Sequence, residues 1–92
     1  MNYKIKMRQI NKNDIRPECP NIPKTEEYEM YLNAFVKDIS SISVVINAER
    51  SANEINVVTD NCSIEEFREH ILPFIQGIRA TQYRVESIAQ LV

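Results

Sequence analysis

The chain has 92 residues, 43% of them hydrophobic and 26% charged, with a net charge of −2. That is enough apolar content for the core of one domain, and there is no overall positive field to draw the chain onto nucleic acid or anionic lipid. The single glycine, Gly77, excludes phosphate-cradling loops, dinucleotide fingerprints and nucleophile elbows, which need glycine where backbone meets a ligand or turns sharply.

Residues 2–10 alternate. Tyr3, Ile5 and Met7 fall on one side and Lys4, Lys6 and Arg8 on the other. Period two over this length predicts a half-buried strand. Residues 11–24 form a long connection in which Pro17, Pro20 and Pro23 recur every three positions, a spacing that suits an extended polyproline-II path. A helix is predicted over 26–39. Thr25 is placed as its N-cap, with Glu26 and Glu27 where the helix dipole favours negative charge. Tyr28, Tyr31, Leu32, Phe35 and Ile39 then form one apolar stripe, widened by Met30, Ala34 and Val36.

Two strands follow, 41–47 and 54–59. Ile42, Val44 and Ile46 are expected on one face of the first, with Val45 and Val58 pointing the other way. The intervening residues 48–53 contain no glycine, so a tight two-residue turn is not expected, and Asn53 is the candidate for a left-handed conformation.

Ser63 with Glu66 three residues later is a capping box. Beyond it, Ile64, Ile71, Ile78, Val85 and Val92 recur every seven positions, with Phe67, Phe74, Thr81 and Ile88 at the second seam offset. This heptad pattern predicts a helix over 64–92. Pro73 and Gly77 interrupt it and place a kink near 73–77. The expected fold is therefore a single α+β domain over residues 1–92, with a small three-stranded sheet in the order β-α-β-β-α and a long, kinked C-terminal helix. Such a helix would be about 43 Å long, longer than the roughly 30 Å body of a chain this size. Its second half is accordingly assigned to an interface with another chain through Ile78, Thr81, Val85, Ile88 and Val92.

Cys19, Cys62, His70 and Asp60 match no recurrent metal-ligand spacing, so neither a metal nor another cofactor is expected. A catalytic Cys–His pair would require Cys19 or Cys62 to meet His70 in space. Lys4, Lys6 and Arg8, followed by Lys12 and Arg16, offer a basic face for nucleic acid, but no aromatic side chain stands among them for base stacking. No apolar run is long enough to span a membrane, and the first residues lack the apolar region of a secretory signal, so a cytoplasmic protein is expected. Thirteen isoleucines against three leucines fit an AT-rich genome such as that of a phage or other mobile element.

These features point to a small non-enzymatic protein-binding module, homodimeric, acting as an inhibitor, adaptor or assembly factor on a larger protein. The alternative is a nucleic-acid-binding regulator that uses Lys4, Lys6 and Arg8.

Overall fold

The computed structural model describes residues 1–11, 13–14 and 22–91. Lys12, Arg16, Pro17, Cys19, Pro20 and Val92 lie outside them. The chain runs β1 (Asn2–Arg8), α1 (Thr25–Ser40), β2 (Val45–Ser51), β3 (Glu54–Thr59), α2 (Ile64–Ile71) and β4 (Arg84–Leu91), with short 3₁₀ turns at Leu72–Phe74 and Gly77–Thr81 before the last strand. The four strands form one sheet in the order β2-β3-β1-β4, and every neighbouring pair is antiparallel. The first strand is thus central and the last strand is an edge. This is the connectivity of two interlocked split β-α-β units, the ferredoxin-like arrangement.

The three-stranded sheet and the long kinked helix are therefore corrected to a four-stranded sheet and two short helices. The helical part of the heptad pattern is real only in its first turns. Ser63 caps α2 by accepting from the Glu66 amide, and Phe67 and Ile71 are buried. Pro73 then occupies the first turn of the Leu72–Phe74 segment, where its missing N–H costs nothing. Gly77 takes φ +64°, which redirects the backbone instead of merely bending a helix.

The remaining heptad positions belong to a strand with a bulge. In β4, Val85 opposes Met7 and Ile88 opposes Ile5, with a register shift between them. One extra residue lets two side chains three positions apart face the same side of a sheet. That three-residue step is also the step between the two seam positions of a heptad.

Both helices pack on one face of the sheet. Tyr3, Ile5, Met7, Ile55 and Val57 meet Tyr28, Leu32, Phe35, Ile39, Phe67, Ile71 and Tyr83 in the core. The rings of Tyr3 and Phe67 stack with centroids 4.2 Å apart, and those of Phe35 and Tyr83 meet at 5.0 Å. Of the predicted stripe, the helix α1 buries Tyr28, Leu32, Phe35 and Ile39 and leaves Tyr31 partly exposed. It begins at Thr25 with Lys24 as the cap residue, whose amide donates to the Glu27 carboxylate. Met30, placed in the buried stripe from its spacing, is instead 69% exposed.

The β2–β3 hairpin also departs from expectation. Ser51 pairs with Glu54, so the turn has only two residues, Ala52 and Asn53. Ala52, not Asn53, has positive φ, at +53°. Asn53 does a different job: its backbone carbonyl accepts from the Met7 amide at 2.7 Å and its side chain from the Tyr28 hydroxyl at 2.8 Å. The turn is thereby tied to β1 and α1, which holds Ala52 in a conformation that disfavours a Cβ. Ala52→Gly should relieve that strain, net of the added freedom of the unfolded chain, by about 0.5–1 kcal/mol. Thermal unfolding should shift upward by several degrees, and a lowered midpoint would contradict the strain.

Candidate interaction surface

The helices cover one face of the sheet and leave the other open. The strand registers place the open-face side chains in rows that run across all four strands. The first row is Asn47, Val58, Asn2 and Leu91; the second is Glu49, Asn56, Lys4 and Ala89; the third is Ser51, Glu54, Lys6 and Ser87. At the far end of β1, Arg8 lies opposite Arg84.

The face is graded along the strands. Its first row is the apolar end, where Val58 is 36% and Leu91 39% exposed. A second bulge, between Val45 and Asn47 in β2, adds Ile46 to this end, 64% exposed. The expected facing in β2 is thereby corrected. Val45 packs against the core with Ile42 and Val44, and the inserted residue Ile46 is turned outward.

Across the strands the face is divided by charge. Glu49 and Glu54 stand on β2 and β3, and Lys4, Lys6, Arg8 and Arg84 on β1 and β4. Glu86, exposed at the β4 bulge, is the acid on the basic side among the described residues. Lys4 pairs with Glu54 at 3.2 Å, and Arg8 grips both carboxylate oxygens of Asp14 at 2.6 and 2.8 Å. That grip, with the Asn11 amide, holds the Asp14 carboxyl well below the usual carboxylate range and raises Arg8 in turn. Lys6 has no ion pair among the described residues. The predicted basic face therefore exists as a surface, but two of its three cations are already engaged. No aromatic side chain stands on it among the described residues.

The structure does not gather the four described residues, Ile78, Thr81, Val85 and Ile88, of the five assigned to an interface. Ile78, 74% exposed, and Thr81 lie in the second 3₁₀ turn. Val85 and Ile88 are half-buried against the core from β4. Val92 is outside the described residues. The helix that was to align them does not form.

The candidate chemical groups are also separated. Cys62 is buried just before α2, its thiol pushed up by burial and by nearby Glu66, which suits a packed thiol and not a nucleophile. His70 is exposed in the last turn of the same helix, about 12 Å further along its axis. No group of three His, Cys, Asp or Glu side chains that would hold a metal occurs among the described residues. A shallow depression of about 500 Å³ lies along the outer side of α1, lined by Asn33, Ala34, Val36, Lys37 and Ser40, and of these only Lys37 is titratable. Among the described residues no helix is long and apolar enough to cross a membrane.

The sequence could have exposed this surface through residues 84–91, where Val85 and Ile88 with polar neighbours also fit a bulged strand. The competing heptad signal masked it. No family model, curated protein or solved structure matches the chain, so its open sheet stands as the surface from which function is argued.

Proposed function

We propose that the chain is a non-enzymatic, cytoplasmic protein-binding module that acts through the open face of its sheet, as an inhibitor, adaptor or assembly factor. One observation carries this reading: Ile46, Val58 and Leu91 share one end of a face that neither helix covers. Apolar side chains grouped beside a polar, hydrogen-bonding surface resemble the core and rim of a protein interface.

The test is affinity capture from the native host with wild type and two variants. A bound protein should be lost with Ile46→Glu plus Val58→Glu and retained with Ile78→Glu, whose side chain is exposed away from the sheet face. Capture that ignores the sheet-face pair and depends on Ile78 would overturn the reading.

The second reading, nucleic acid on Lys4, Lys6 and Arg8, draws support from Arg84 standing beside Arg8. Against it weigh the two engaged cations and the lack of stacking partners on the face. Little binding to mixed DNA or RNA is expected at about 50 mM salt, where phosphate contacts are strong. Tight binding there that weakens steeply towards about 200 mM would reverse the ranking of the two readings.

A further inference from the structure

We infer that the open sheet face docks on a second copy of itself, about a two-fold axis parallel to the strands. This rests on the protein-binding reading and names the partner. Charged and apolar groups on the face complement those of a second copy across a symmetric, self-complementary interface.

Two sheets stacked face to face keep their strands within about 30° of each other, about 10 Å apart. A two-fold axis relating them lies in the plane between the sheets, and two simple orientations exist. With the axis parallel to the strands, each row faces the same row of the partner and the strand order is reversed. The β3 strand then lies over the partner's β1, and β2 over the partner's β4, given the order β2-β3-β1-β4. The acidic half of one face covers the basic half of the other. Glu54 meets Lys6 of the second copy, the cation left without an ion pair in its own chain among the described residues. At the apolar end, Ile46 and Asn47 meet Leu91 of the second copy and Val58 meets its Asn2, so Ile46, Val58 and Leu91 of both chains gather at one end of the interface with the two Asn2 side chains among them.

With the axis across the strands, the outcome reverses. The β1 strand lies over β1, so Lys4 faces Lys6 of the second copy and Asn2 faces Arg8. Cations oppose cations, and the apolar row lies against the Arg8–Arg84 end. Like charges brought together in an interface are costly, so the charge pattern selects the first orientation.

Size sets the strength. Four strands about 4.8 Å apart and seven residues of about 3.3 Å make a face of roughly 19 by 23 Å. That is below the roughly 800 Å² per partner of a standard stable interface. A face of this size places the dimer among weak, transient interfaces.

Asn47 and Leu91 are at opposite edges of one sheet, so a disulfide between those two positions forms only between chains. Two single variants, Asn47→Cys and Leu91→Cys, each in a Cys19→Ser background, are to be mixed in equal amounts and oxidised gently. The mixed disulfide should exceed the half share expected from random collision. In the other orientation, with Asn2 over Arg8, Asn47 lies over the Ala52–Asn53 turn of the second copy and Leu91 over its Arg84, and no such excess arises. Wild-type protein in sedimentation velocity should pass from monomer to dimer between about 5 and 500 µM, and Lys6→Glu should weaken the association about tenfold. A random share of the mixed disulfide, or a wild type monomeric throughout, would overturn self-docking. Either result leaves the capture experiment to decide whether the same face binds a different protein.

Discussion

Replacing Val85 and Ile88 together by glutamate should unfold the chain. Both side chains lie on the covered face of β4, against Met7 and Ile5 of the central strand. Two carboxylates there must either lose their hydration or pull the strand off the sheet, at about 2–3 kcal/mol or more each. The total of about 5 kcal/mol approaches the whole stability of a small domain, about 5–15 kcal/mol. The expected reading is loss of the cooperative transition in urea and of near-ultraviolet dichroism. On the heptad expectation the same variant would be a well-folded monomer with an interface removed. A folded double variant by circular dichroism would therefore count against β4 as a strand of the sheet.

Tyr3→Ala is the second large effect. Tyr3 is fully buried, stacks on Phe67 at 4.2 Å, and donates its hydroxyl to the Cys62 carbonyl just before α2. One side chain thus joins the central strand to the second helix by area, ring contact and hydrogen bond. Removing a buried aromatic costs about 3–5 kcal/mol, and the Cys62 carbonyl loses a buried donor as well. Tyr3→Phe keeps the ring and loses only the hydroxyl, for about 1–2 kcal/mol. Chemical denaturation of the two variants separates packing from hydrogen bonding. If Tyr3→Ala cost no more than Tyr3→Phe, the stack with Phe67 would contribute nothing to stability.

How far the residues disclose the fold depends on whether their periodicity has one solution. The alternation of Tyr3, Ile5 and Met7 has one, and β1 is found with those side chains inward. The stripe of Tyr28, Leu32, Phe35 and Ile39 and the Ser63–Glu66 capping box are equally direct, because both follow from local geometry. The segment from Ile78 to Leu91 has two solutions. Apolar residues three apart read as a helix unless a bulge is inserted, and a bulge is specified by the partner strand rather than by its own residues. Ile46 and Val45 exchange faces for the same reason. The candidate surface follows this division. Lys4, Lys6 and Arg8 were legible as one face, whereas the apolar row of Ile46, Val58 and Leu91 emerges only when three distant strands are set in register. The turn at Ala52 could not be read locally either, since its strain is held in place by Met7 and Tyr28.

The central position of β1 governs how this chain must fold. Its two neighbours in the sheet, β3 and β4, end at Thr59 and Leu91, so every pairing of the first strand closes a loop of some fifty residues or more, as in Asn2 with Val58 and Asn2 with Leu91. Such contacts pay their entropy before they are rewarded, which slows folding relative to a chain of local hairpins and helices. Among the described strands only β2 and β3, joined by a two-residue turn, pair as neighbours in sequence. On a ribosome β1 emerges with both of its edges unpaired and waits for partners that lie some fifty to ninety residues further along the chain. Its outward Lys4, Lys6 and Arg8 then act in time as well as in space, keeping an orphan strand from pairing with its neighbours before its own sheet is complete.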